Sequence, residues 1–142
     1  MPSQFQSPEL QAWAAGFPVT LLHVGVTLLI LVIGASLYAL LTPHREIQLI
    51  REGNPAAALS FGGVLVGLAI PLAFALAVST SILEIALWGA TTTAVQLALF
   101  WVTDLVLHGL PQRIKEGEIA AAALLVAAKL AGAVILAAAV TA

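Results

Sequence analysis

Cysteine is absent from this 142-residue chain. Its absence excludes disulfides, thiolate chemistry and cysteine-based metal sites. Charge is nearly absent too: Asp, Glu, Lys and Arg make up 8% of the chain, against about 25% in a soluble domain. The net charge is -2, and no basic patch is present to neutralise phosphates, so no nucleic-acid partner is expected. Residues 1–18 contain neither Lys nor Arg. A secretory signal opens on a positive segment, so none is expected here. The sequence also lacks a nucleophile–base arrangement, a phosphate loop and a metal cluster, and it is therefore read as a non-enzyme without cofactors or metal. His44 and His108 occupy comparable positions, but nothing at ligand spacing completes a metal site around them.

What remains is apolar. Hydrophobic residues make up 61% of the chain, and the mean hydropathy is +1.09. A bilayer core takes roughly 20 apolar residues per helix. Four runs are long enough: Val19 to Leu41, Pro55 to Val78, Ile82 to Leu107 and Ile119 to Val140. The expected fold is all-α, a polytopic membrane protein with four transmembrane helices arranged as two tandem parallel hairpins. Residues 1–18 form a tail in which Ser7-Pro8-Glu9 opens a short interfacial helix, with Trp13 and Phe17 at headgroup level. Thr42-Pro43 opens a short turn from His44 to Glu52. Asn54-Pro55 caps the second span, and Ser81-x-x-Glu84 has the form of a capping box before the third.

The hairpins are residues 19–78, with an elbow at 43–54, and residues 82–142, with an elbow at 108–118. The elbows repeat at an offset of 64 residues. Ile50-Arg51-Glu52-Gly53-Asn54 corresponds to Ile114-Lys115-Glu116-Gly117-Glu118, and an Ala-Ala-Ala run follows each. Four of the five basic residues, Arg45, Arg51, Arg113 and Lys115, lie in the elbows. The positive-inside rule then places both elbows in the cytoplasm and both termini outside. The repeats share one topology, unlike the inverted repeats of many transporters. The balanced elbow charges read as a solvated face that orients the protein, with a docking surface for a cytoplasmic partner as the alternative.

Glu46-Ile47, Arg51-Glu52-Gly53-Asn54-x-Ala-Ala-Ala58, Gly62-Gly63-x-x-x-Gly67, Pro71-Leu72, Trp88 and Gly117-Glu118-x-Ala-Ala-Ala122 together form a specific pattern. With these residues the chain resembles the bacterial inner-membrane family called domain of unknown function 350, over residues 18 to 140. The resemblance implies a small four-span protein of the cytoplasmic membrane and carries no activity.

Ionisable residues inside a span mark candidate functional sites. Lys129 lies eleven residues into the fourth span, and Asp104 lies near the inner end of the third. Their counterparts in the first half are Leu65 and Leu40. Helical side chains lean toward the N-terminus of their own helix, so these two lean toward each other, and a Lys129–Asp104 pair is expected. It is read first as a structural pair that fixes helix register, and alternatively as part of a transport or proton route. Thr93, Gln96, Asp104 and His108 form a polar stripe within an arc of roughly 120°. The stripe is read as interhelical glue, with a hydrophilic pathway as the alternative. Glu84 is read as a helix cap or an outer-end acid, and His23 as a satisfied polar residue. Gly63-x-x-x-Gly67 and Ala128-x-x-x-Gly132 are small-residue pairs for close packing, and Pro71 should kink the second span.

These features point to a small accessory or scaffolding subunit of a membrane complex, in contact with the lipid bilayer and with itself or a larger assembly. The alternative is an oligomeric channel or transporter for protons, ions or a small solute built on Lys129 and Asp104. A conduit places that pair in a hydrated cavity. A scaffold keeps it dry and mutually satisfied.

Overall fold

A computed structural model describes residues 7–42 and 45–142, so Pro43 and His44, and the helix start and histidine correspondence read there, lie outside the described residues. The helices are α1 (Pro8–Leu41), α2 (Glu46–Arg51), α3 (Pro55–Val78), α4 (Ile82–Val106), α5 (Leu110–Lys115) and α6 (Ile119–Val140). The all-α expectation holds. The four long helices, α1, α3, α4 and α6, are each long and apolar enough to cross a membrane.

The helix starts are local chemistry. The Ser7 hydroxyl accepts from the Leu10 N–H at 3.3 Å, and Pro8 fills the first helical position. The helix that begins there is not a separate interfacial piece. It runs through Pro18 without a break and reaches 34 residues, about 51 Å at 1.5 Å per residue. The expected boundary at residue 18 is therefore corrected. Pro18 forfeits one backbone hydrogen bond, but in an apolar stretch the surrounding bonds have no better partner than the helix itself. Trp13 and Phe17, one turn apart, stack with ring centroids 5.2 Å apart.

The two elbows fold alike. Gly53 has φ 87° and Gly117 has φ 83°, the left-handed conformation that glycine adopts without a Cβ penalty. In the first elbow the Gly53 N–H donates to the Ile50 carbonyl and the Asn54 N–H to the Leu49 carbonyl. In the second, Gly117 donates to Ile114 and Glu118 to Arg113. Both are Schellman ends, which satisfy the last carbonyls of a short helix and turn the chain into the next span. The entries to α2 and α5 also match. Arg45, with φ 47°, stands where Gly109, with φ 91°, stands 64 residues later. Arg45 therefore carries a backbone strain that Gly109 avoids.

Tertiary packing crosses between the halves. The most extensive helix contact is α3 against α6, and α3 also packs on α1 and α4. The pairs adjacent in sequence, α1 with α3 and α4 with α6, make smaller contacts. Small residues explain the α3–α6 contact. Ala56, Ala57, Ala121, Ala122 and Leu125 are buried together with Ile114. A Cβ on Gly63 would stand 2.5 Å from the Val126 side chain on α6, and one on Gly67 would stand 2.8 Å from the Phe100 ring on α4. Gly132 does not behave this way. Its nearest neighbour to a Cβ is Leu99 at 4.0 Å, and Ala133 and Ala137 are the buried small residues at that end of α6. Gly34 and Gly89 make the close approaches between α1 and its neighbours instead: added Cβ atoms would meet Thr93 and Ile30 at 2.8 Å. Pro71 is buried inside α3, which continues through it to Val78.

Candidate functional site

Lys129 is the largest polar side chain taken wholly out of solvent, at 1% exposure. A lysine at the centre of a span costs roughly 2.5–3.5 kcal/mol without compensation. Three neighbours compensate it. Its Nζ lies 2.9 Å from Asp104 Oδ1. It donates a hydrogen bond of 2.8 Å to the Tyr38 hydroxyl. It also stands 4.8 Å from the Tyr38 ring centroid and 5.3 Å from that of Phe100, within cation–π range. The two rings meet edge to face at 5.8 Å, a geometry favoured by their quadrupoles. One ammonium thus ties α6 to α4 and to α1.

A second carboxylate lies behind the first. Glu46 belongs to α2, yet it is 6% exposed. Its Oε1 accepts from the Ser60 hydroxyl on α3 at 3.1 Å, while Oε2 finds no hydrogen-bond partner among the described residues. Burial pushes the Glu46 carboxyl above the ordinary carboxylate range. The Lys129 ammonium and the Ser60 hydroxyl pull the other way without offsetting it, and Asp104 adds to the rise. The cluster therefore has one cation facing two acids. Burying net charge is costly, so neutral Glu46 beside the Lys129–Asp104 pair is the balanced state.

Asp104 has a different outlook from Lys129. It is 21% exposed on its side chain and opens on a cleft of about 700 Å³ between the ends of α1 and α4 and the start of α5. Tyr38, His108 and Gln112 share that polar end, while Leu97, Trp101 and Leu105 line the rest.

The sequence profile of one family, described as Domain of Unknown Function (DUF350), matches residues 12–140. The chain belongs to that family. It is 36% identical over 118 residues to "UPF0719 inner membrane protein YjfL" of Escherichia coli (strain K12), covering 83% of this chain and 88% of the relative. The protein of the same name from Escherichia coli O157:H7 matches equally. No solved structure matches. With its four apolar helices and an inner-membrane relative, this family member is a multi-pass inner-membrane protein.

The other residues singled out in the sequence divide into three groups. Thr93 and Gln96 lie on the buried face of α4, but they do not join the cluster. The Gln96 amide is fully buried, and neither of its ends, nor the Thr93 hydroxyl, has a hydrogen-bond partner among the described residues. As interhelical glue the stripe is incomplete there. His108 is exposed at the cleft. Glu84 lies at the opposite end of α4. The Ser81 hydroxyl caps the Glu84 N–H at 3.2 Å, and the carboxylate accepts from Thr80, at 2.6 Å from its N–H and 3.0 Å from its hydroxyl.

The elbow residues form one surface. Asn54 Oδ1 accepts from the Ala57 N–H at 3.1 Å and caps α3. Its Nδ2 donates to the carbonyls of Ile114 and Lys115, at 3.0 and 3.2 Å, at the end of α5. Glu118, at the equivalent position, instead pairs with Arg113 of its own elbow, including a 2.6 Å bond from Arg113 Nε. That contact holds the Glu118 carboxyl below its usual range. Arg51, Glu52, Lys115 and Glu116 are exposed on this end.

Sequence reasoning missed Tyr38, Glu46 and Ser60. The signal was present. Their counterparts 64 residues on are Val102, Leu110 and Leu124. Each half therefore supplies polar residues that the other replaces with apolar ones, and the two sets meet at one place. Subtracting only the first half from the second finds Lys129 and Asp104 and leaves their partners hidden.

Proposed function

We propose that this protein is a non-enzymatic membrane subunit that scaffolds or accessorises a larger assembly, with both elbows on the cytoplasmic side and both termini outside. The observation that supports it best is the dryness of Lys129. Its ammonium is enclosed, paired and capped by two rings, an arrangement suited to locking helices rather than to passing ions. The elbows support the same reading. Asn54 joins them into a single charged platform, with Arg51, Glu52, Lys115 and Glu116 exposed on it. Basic residues concentrated there agree with a cytoplasmic side.

A second reading, an oligomeric conduit for protons, ions or a small solute, draws on Thr93 and Gln96. Their unpartnered atoms continue from Asp104 along α4 into the bundle. Proteoliposome flux separates the two. The scaffold reading expects proton and cation flux at the protein-free background, together with discrete adducts when photo-crosslinkers are placed at Arg51 or Lys115 in native membranes. Flux above background that disappears in Lys129→Met overturns it. The lack of cysteine makes orientation directly testable: a cysteine at Ser79 should react with an impermeant maleimide from outside, and one at Arg51 only after permeabilisation.

A further inference from the structure

We propose that the cleft beside the cluster is a lipid site that selects a phospholipid with a primary ammonium headgroup. This goes beyond the scaffold reading and does not depend on it.

The first support is shape and size. About 700 Å³ falls in the range of sites that enclose small amphiphilic ligands, roughly 300–1,000 Å³. The second is a polarity gradient along the bundle axis. Leu97 and Ala98 lie at the deep end, Asp104 further along α4, and His108 and Gln112 at the elbow end. From residue 97 to the end of α4 at residue 106 the helical rise is roughly 14 Å, enough for the first carbons of an acyl chain beneath a headgroup. The third is the opening. Leu41, Trp101 and Leu105 rim the cleft and are 76%, 66% and 55% exposed. They belong to membrane-spanning helices, so the mouth faces acyl chains rather than water.

The charges choose the headgroup. Among the described residues, Asp104 is the one carboxylate in the lining, and no Lys or Arg lines the cleft. Lys129 holds Asp104 from behind but is itself enclosed. Glu46 stands behind the same pair and adds no positive charge. An ammonium placed in the cleft meets the open side of Asp104 in a charge-assisted hydrogen bond. The lipid phosphate then lies toward the elbow end, where the His108 ring and the Gln112 amide supply donors. A headgroup with negative charge and no ammonium meets Asp104 with no compensating cation. A quaternary choline has no N–H to donate.

The test is native mass spectrometry of the full chain released from nanodiscs of equimolar phosphatidylethanolamine, phosphatidylcholine and phosphatidylglycerol. The expected result is one retained lipid per chain, with the ethanolamine lipid enriched about tenfold over the choline lipid, the ratio that ~1.4 kcal/mol provides. Asp104→Asn should abolish the preference. Because that change also touches the Lys129 pair, a second variant carries the decision. Ala98→Trp fills the deep end from an exposed position and leaves the ion pair intact, and it should lose the retained lipid at unchanged melting temperature. Equal retention of all three lipids overturns the proposal, as does enrichment that survives Ala98→Trp. A dimer that Ala98→Trp dissociates, without any lipid preference, assigns the cleft to a second copy and equally overturns it.

Discussion

Replacing Asp104 with leucine leaves the Lys129 ammonium enclosed with its nearest counter-ion gone. Removing one partner of a buried pair costs about 3–5 kcal/mol. Here part of the loss is recovered. Lys129 keeps its 2.8 Å bond to Tyr38 and its two aromatic neighbours, and cation–π contacts of this kind contribute ~0.5–2 kcal/mol. We therefore expect Asp104→Leu to cost about 3 kcal/mol, at the lower end of the range. The double replacement Asp104→Leu with Lys129→Met removes both charges and should cost less than 1 kcal/mol or stabilise, as apolar substitutes for buried pairs often do. The assay is reversible unfolding in mixed micelles with increasing denaturing detergent, run as a double-mutant cycle. A coupling of at least about 2 kcal/mol between the two positions is expected. Additive effects, with the double variant as damaged as the sum of the singles, refute the claim that the pair is held as one dry unit.

The pH dependence of Glu46 follows from its raised pKa. A carboxyl whose folded pKa lies above its unfolded value, here above 4.5, favours folding below the unfolded pKa, and this contribution is lost as pH rises through the folded pKa. Glu46→Gln should therefore raise the melting temperature at pH 7–8, change it little near pH 4, and flatten the profile between. A uniform shift at all pH values would point to packing instead. Gly63→Ala places a methyl 2.5 Å from Val126 and should cost about 1–3 kcal/mol by overpacking, with Val126→Ala restoring most of it. The lack of such rescue in thermal melts counts against the close α3–α6 approach. Asn54→Ala removes a cap and two bonds to the end of α5 and should cost about 1–3 kcal/mol, with hydrogen exchange rising in both elbows at once. Exchange confined to the first elbow would separate the two. Gln96→Leu should stabilise by about 1–3 kcal/mol, because it removes buried amide ends without protein partners. A loss of stability on this change would show that the amide is satisfied in the membrane.

Much of the molecule is legible in one dimension. Apolar run length determines the four spans, because lipid leaves a spanning backbone no partner but its own helix. Ser7, Asn54 and Ser81 mark helix starts, and Gly53 and Gly117 mark ends, because caps and left-handed turns are chemistry among residues within five of one another. The lean of Lys129 and Asp104 follows from helix geometry alone. Errors arose where competition between local signals decided the outcome. Residues 1–18 read as a tail with its own short interfacial helix, yet α1 runs from Pro8 through Pro18 to Leu41. Gly132 reads as a packing residue, yet the face it occupies turns away from α3.

The candidate site shows where local reading stops. Tyr38, Glu46 and Ser60 come from α1, α2 and α3, and nothing within a few residues of any of them points to Lys129, 91 positions from Tyr38. Glu46 looks like one charge in a balanced elbow. Its burial depends on α2 folding back onto α3, and its raised pKa depends on that burial. Composition, spans, elbows and their 64-residue correspondence are properties of the sequence by itself, since each rests on neighbours along the chain. That α3 packs most closely on α6, and that polar residues unique to each half meet around a single ammonium, was decided only by tertiary structure. Small-residue surfaces can pair in several registers, and only the folded bundle selects the one that leaves Lys129 compensated.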